Sequence, residues 1–239
     1  MVDSNKSNSI VLGICLIIGL SSLGYLLGDA AIRFKEYERT VTVKGLSERE
    51  YKADIVIWPI KFSTASNNLK EIYKSIDGST EKIKLFLMSE GVDVTEISYS
   101  SPAIIDKSAQ QYGNQAKAEF RYTASQTVTV YSKNIEKIRD VMGEISGLGK
   151  QGIVFNSGNY QSQTEYIFMR LNEVKPEMIE EATRNAREVA EKFAADSKST
   201  LGKIRVASQG QFSISARNKN NPHIKKVRVV STVAYYLSD

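Results

Sequence analysis

Cysteine, histidine and tryptophan occur once each in this chain of 239 residues, as Cys15, His223 and Trp58. Cys15 lies inside an N-terminal apolar run, so the rest of the chain holds no thiol. This excludes a disulfide framework, a thiol nucleophile and a thiolate metal site there. A triad that uses histidine as its base has a single candidate, and no G-x-S-x-G elbow accompanies it. His223 sits in the polar stretch "NNPHIKK" with no second histidine, and reads as a solvated loop residue. Trp58 reads as a packing anchor. Basic residues are not concentrated either: the net charge is +5, with no block of Lys and Arg dense enough for a nucleic-acid groove. No nucleic-acid partner is expected.

Charged residues make up 25% and apolar residues 41% of the chain, which places it among globular rather than disordered proteins. The clearest physical signal is "SIVLGICLIIGLSSLGYLLG", Ser9 to Gly28. From Ile10 to Leu27 there is no charge, and that length is near the lower limit for a helix crossing a bilayer. Residues 10–27 are therefore expected to engage a membrane. The run exceeds the ~7–15 residues of a signal-peptide core, which favours an uncleaved anchor. Cleavage is the competing reading, with Gly28 and Ala30 as its small residues. Ile14 is bulky where a lipoprotein signal needs a small residue, so lipidation of Cys15 is not expected. The expected organisation is a short N-terminus over 1–8, an anchor or signal segment over 9–28, a charged linker over 29–39 and one folded domain over 40–239.

Beyond the linker, alternation predicts strands at Thr40 to Leu46 and in "DIVIWPIKFS". Pro59 cannot donate a ladder hydrogen bond, which predicts an edge strand or a bulge there. Leu69, Ile72, Tyr73, Ile76, Ile83 and Leu87 recur at helical spacing, with Gly91 as the stop. "EISYSSPAII" and "EFRYTASQTVTVY" predict a long hairpin with a polar tip over 106–117. Ile135, Ile138, Val141, Met142 and Ile145 form the stripe of a second helix, capped by Ser132 or Asn134. "IVFNSGNYQSQTEYIFMRL" reads as a hairpin turning at "NSGN". The long helix in "KPEMIEEATRNAREVAEKFAADSKSTLG" is expected to start near Pro176, with Gly202 beyond its end. Two strands, "KIRVASQGQF" and "KVRVVSTVAYYL", close the chain around a second polar tip over 215–226. That basic tip, with five Lys and Arg between Arg217 and Arg228, reads as a solvated loop.

The expected fold class is α+β: antiparallel β-sheets with helices packed on one face, preceded by an N-terminal transmembrane helix. The order strand, strand, helix, hairpin occurs over about 40–132 and again over about 152–238. Two similar ββαββ halves joined by a helix would account for this.

"GLGKQG", residues 147–152, spells G-x-G-x-x-G, but it follows a helix and precedes a strand, the reverse of what phosphate cradling requires. A helix C-terminus presents carbonyls, which repel a phosphate. Gly147 and Gly149 read instead as a helix stop and a tight turn. Glu180 and Glu181 are adjacent, so they point to different sides of their helix and do not form a carboxylate pair. No catalytic, cofactor-binding or metal-binding residue is assigned, and no enzymatic activity or cofactor is expected.

Three stretches carry a family resemblance: "VTVKGLSEREYKADIVIWPIKF", "RLNEVKPEMIEEATRNAREVAEKFAADS…LGKIRVASQGQF" and "VRVVSTVAYYL". Together they resemble the SIMPL-domain family, a conserved domain of unknown function found in bacterial periplasmic and surface-antigen proteins. Its most specific parts are the Lys-Pro-Glu-Met of the long helix, "ATRNARE" and "ASQG". The resemblance implies a bacterial inner-membrane protein crossing once, with the N-terminus cytoplasmic and the domain in the periplasm or outside the cell. It implies no catalytic residues, a loose link to envelope or oxidative stress, and self-assembly into a homo-oligomer. The resulting expectation is a non-enzymatic, membrane-anchored cell-envelope protein that works by self-association or by binding an envelope protein or other component. The alternative is a periplasmic small-ligand carrier or enzyme with a pocket between helices and sheet. A signalling adaptor is suggested by the family name alone.

Overall fold

The computed structural model describes residues 3–36, 39–109, 119–156 and 163–238. It is an α+β protein with two antiparallel sheets, as the sequence pattern predicts. The apolar run becomes helix α1, Asp3–Glu36. The helix continues past the run, so residues 29–36, read as linker, are helical.

Strand β1 spans Thr40–Lys52 and β2 spans Ile55–Ser66. Helix α2 spans Leu69–Ser89, with Asn68 accepting from the Lys70 N–H at its start. It stops at Gly91, whose φ of 77° is open to glycine without the usual Cβ penalty. Strands β3, Ile97–Tyr99, and β4, Ala103–Asp106, lie on β5, Tyr122–Ser132, making the long hairpin. Most of its tip, residues 110–117, falls outside the described residues. At its base Arg121 Nη2 meets Asp106 Oδ2 at 2.8 Å, and this guanidinium holds the Asp106 carboxyl well below the usual carboxylate range.

Helix α3, Ile135–Glu144, is capped by Asn134, whose Oδ1 accepts from the Lys137 N–H at 3.2 Å. A one-turn helix, α4, covers Ser146–Gly149. Gly147 and Gly149 therefore lie within a helical turn, and the reversal falls instead at Gly152, with φ 89°. Strands β6, Val154–Phe155, and β7, Glu165–Ile167, follow. The expected hairpin between them does not form: β6 pairs with Phe62 and Ser63 of β2, and β7 pairs with Ile55 to Ile57. Asn156 donates its N–H to the Lys61 carbonyl, and the rest of the predicted "NSGN" turn lies outside the described residues.

This arrangement also corrects the reading of Pro59. Strand β2 is central, with β5 along one side and β7 and β6 along the other. Among the described residues, Pro59 falls between the β7 and β6 registers, where a missing donor costs no ladder bond on that side.

Helix α5 spans Leu171–Asp196, so it begins five residues before Pro176. Pro176 sits in the second turn and leaves the Asn172 carbonyl without its usual i+4 donor. The helix ends before Gly202 is reached. Lys198 adopts φ 54° and closes the end, with the Ser199 N–H bonded to the Ala194 carbonyl at 2.8 Å. Gly202 belongs to β8, Thr200–Gln209, which is followed by β9, Ser213–Ala216, and β10, Ile224–Ser238.

The four-stranded sheet runs β1-β10-β8, with β9 also on β10; the six-stranded sheet runs β3-β5-β2-β6, with β4 and β7 added. The two halves of the chain share an element order, but the sheets do not follow the halves: β1 joins β10, while β6 and β7 join β2.

The chain forms two compact units, and the expected 40–239 domain is divided between them. The first gathers Met1–Glu48, Lys175–Phe212 and Arg228–Asp239. Its core is small: Val43, Ala186, Ala190, Val233 and Tyr235 are buried, with Val41 and Leu201 packed against them. The second gathers Arg49–Val174 and Ser213–Val227. Its core places Ile72, Ile76, Ile83 and Leu87 of α2, with Ile138 and Val141 of α3, against alternate residues of β2 and β5. Trp58 is buried there as a packing residue. Fully burying each such side chain is worth about 1.5–3 kcal/mol, so this core dominates the stability of the unit.

Candidate functional site

Four places were built up from the residues outward: the α5–β1 seam, the cleft at His223, the free edge of β8, and a groove at the end of β10.

The seam lies in the first unit and uses the residues that carry the family resemblance. Helix α5 buries Met178 and then Ala182, Ala186, Ala190 and Ala194, the four alanines forming a stripe of small side chains at i,i+4 spacing. Small residues let the helix approach β1 closely, and Gly45 is where the approach is tightest. A Cβ at Gly45 would fall onto the Ala182 carbonyl oxygen and the Ala186 nitrogen, both backbone atoms. Polar bonds flank the contact. Ser47 is buried and its Oγ donates to Glu181 Oε2 at 2.9 Å, while Asn185 Nδ2 donates to the Leu46 carbonyl at 2.8 Å. Glu181 thus faces β1 and the neighbouring Glu180 is exposed, as their adjacency requires. The "KGLSE" and "ATRNARE" stretches are joined here by packing.

The cleft lies in the second unit and holds about 200 Å³. It is lined by Lys52, Ala53, Lys133, Asn134, Ile135, Glu136 and His223. His223 is not the solvated residue the sequence suggested. It is half-buried because the tip residues from Asn221 onward fold back: the Ala53 N–H donates to the His223 carbonyl at 2.8 Å. The imidazole meets the Tyr166 ring edge-on at 6.0 Å, and its Nδ1 is buried without a hydrogen-bond partner among the described residues. Burial pushes the His223 pKa down, the positive charges of Arg139 and Lys52 push the same way, and Glu136 opposes them. Lys52 Nζ lies 2.6 Å from Glu136 Oε1, and that bond lowers the Glu136 pKa. The ion pair neutralises itself, so the cleft presents a neutral imidazole beside a satisfied pair. Residues 217–220 of the tip stay exposed, around Asn218 Oδ1, which accepts from the Asn220 and Asn221 N–H groups. Among the described residues, no three His, Cys, Asp or Glu side chains are grouped to hold a metal ion.

The third place is β8. It ends the β1-β10-β8 order, so among the described residues it is paired on one side only. Nearly every residue along it is exposed, including Ile204 at 48% and Val206 at 58%. Its first part is irregular, with register shifts where it meets Tyr235 and Leu237, and it carries Lys203 and Arg205. Both features discourage edge pairing. From Val206 to Gln209 the register is regular and the side chains are uncharged. The "ASQG" of the resemblance is this flat end of the edge. Gly210 closes it: its N–H bonds to the Val230 carbonyl at 2.8 Å, and a Cβ there would meet that oxygen at 2.6 Å.

The fourth place is an apolar groove of about 460 Å³ at the end of β10, lined among the described residues by Gly202, Tyr236, Leu237 and Ser238. Sequence reasoning found neither the edge nor the groove. Ile204 and Val206 alternate in the sequence as on a core-facing strand, so nothing local marked them as exposed.

Helix α1 contains a stretch, Leu12–Ala30, of mean hydropathy 1.7, long and apolar enough for a membrane span or a signal sequence. Cys15 is exposed on it. A search of curated proteins finds no match. The SIMPL family model, described as a protein of unknown function (DUF541), matches residues 41–233. That match covers most of the chain and takes in both the seam and the β8 edge, and the chain belongs to the SIMPL family.

Proposed function

We propose that this protein is a non-enzymatic, membrane-anchored component of the bacterial cell envelope that acts by strand-edge association. Helix α1 anchors it in the inner membrane, and the remainder of the chain faces the periplasm. The flat end of β8 adds a strand from a second copy or from an envelope protein. The observation that carries this reading is the one-sided pairing, among the described residues, of Val206–Gln209, an uncharged and regular edge. The core of the second unit is filled by Ile, Leu, Val and Phe side chains, which counts against the alternative of a ligand pocket between helices and sheet.

Light scattering on the detergent-solubilised full chain tests this reading. A defined oligomer that Val206→Lys with Ser208→Lys reduces to monomer supports self-association through the edge. A monomer that captures no envelope protein through β8 contradicts the proposal.

A further inference from the structure

The end of the first unit from which α1 departs has a composition that its fold does not require. Two residues, 37 and 38, separate the last residue of α1 from Arg39. Arg39 is tied to the sheet: the Leu237 N–H donates to its carbonyl at 2.9 Å, and its Nη2 donates to Ser199 Oγ at 3.2 Å. The start of β1, the exit of α5 and the end of β10 therefore share one end of this unit. The apolar groove lined by Gly202, Tyr236, Leu237 and Ser238 opens there. Among the described residues, 39, 196–205 and 236–238 carry four cations, Arg39, Lys198, Lys203 and Arg205, against one acid, Asp196, with Glu38 and Asp239 next to them in the sequence. The Arg205 guanidinium lies over the Tyr236 ring, 6.0 Å from its centroid.

We infer that this end seats on an anionic lipid surface. Tyr236 and Leu237 enter the interfacial layer, and Lys198, Lys203 and Arg205 face lipid phosphates. An aromatic ring with flanking Lys and Arg is the side-chain set that favours the boundary between headgroups and hydrocarbon. Reach permits the contact. Six residues of α1 beyond Ala30 extend about 9 Å, and three residues of chain from Glu36 to Arg39 add at most about 11 Å. The headgroup layer takes up about 5–8 Å of that distance. Even fully extended, the tether leaves Arg39, where the unit begins, within about two Debye lengths of the lipid phosphates at physiological salt. The occupant of the groove is thus the membrane that α1 enters, and the inference rests on the membrane-anchor reading.

The test uses the full chain with Cys15→Ser, reconstituted in phosphatidylcholine vesicles with or without phosphatidylglycerol. Single cysteines carry a fluorophore quenched by doxyl-labelled lipid. Ser238→Cys and its register partner Thr200→Cys report on the groove end, so the failure of one to fold leaves the other. Leu20→Cys reports on the anchor, and Tyr131→Cys on an exposed site of the second unit. The expected result is quenching at 20 in both vesicle types, and quenching at 238 and 200 that phosphatidylglycerol increases about twofold or more. Adding Lys203→Glu and Arg205→Glu should abolish that increase. Quenching at 20 with none at 238 and 200 beyond that at 131 overturns the inference and leaves the anchor standing. Equal quenching at 238 in both vesicle types overturns the assignment to an anionic surface. No quenching at 20 overturns the anchor and this inference together.

Discussion

Gly45 of β1 lies directly against the Ala182 carbonyl of α5, so closely that no side chain fits between strand and helix. The contact is between backbones, and a neighbouring rotamer change does not relieve it. Gly45→Ala should therefore destabilise the protein by about 3 kcal/mol, the upper end for overpacking. Ala186→Gly should not rescue it, because the obstructing atoms are main-chain. Urea denaturation of the variants checks both statements; a Gly45→Ala midpoint equal to wild type would refute the close approach.

Lys198 closes α5 in the left-handed region, where a side chain meets the following carbonyl. Lys198→Gly should raise stability by about 1 kcal/mol, because glycine removes that clash at the helix stop. Thermal melts are sufficient to see this, and a lowered melting temperature would show that the φ of 54° carries no strain.

A part-buried polar link holds the α2 face of the second unit to β5. Thr80 Oγ1 donates to Gln126 Oε1 at 2.7 Å, and Gln126 Nε2 donates to the Ser100 carbonyl at 2.8 Å. Thr80→Val leaves the Gln126 oxygen unpaired and should cost about 1–3 kcal/mol. Thr80→Val combined with Gln126→Leu should cost less than the sum of the two single changes, since both partners are then apolar. Additive costs in the double-mutant cycle would show that the two side chains do not interact.

Burial and the charges of Arg139 and Lys52 disfavour protonation of His223 in the folded state. Its folded pKa lies below its ordinary value near 6.5, so the unfolded chain binds the proton first. Its contribution to stability is complete above about pH 6.5 and is lost as pH falls through the depressed folded value. His223→Gln should flatten the stability–pH curve in that window while leaving the slope at lower pH, where carboxylates titrate. Denaturant midpoints measured at intervals across the window decide this, and an unchanged curve would show that His223 is solvated.

Much of the fold is legible in the sequence because its signals are local. Period-two alternation marks β1, β2, β5 and β10, and the stripe from Leu69 to Leu87 marks α2 down to the Gly91 stop. What is not legible depends on distant partners. Nothing near "IVF" and "EYI" says that both strands choose β2 over each other, and Pro59 reads as an edge signal although its strand is central. The half-burial of His223 depends on Ala53, far away in the chain. Resemblance marked "VKGLSE" and "ATRNARE" without saying why those residues go together. The reason is the Gly45 contact, which needs a small residue on each side.

Thiol cross-linking along the β8 edge decides whether the protein associates through this strand. The full chain with Cys15→Ser and Ser208→Cys, treated in membranes with a short bifunctional maleimide, should give a single discrete adduct. Val206→Lys should suppress that adduct, and mass spectrometry should identify it as a second copy of the chain or as one envelope protein. Failure of Ser208 to cross-link, while a cysteine at exposed Tyr131 behaves identically, would contradict association through this edge.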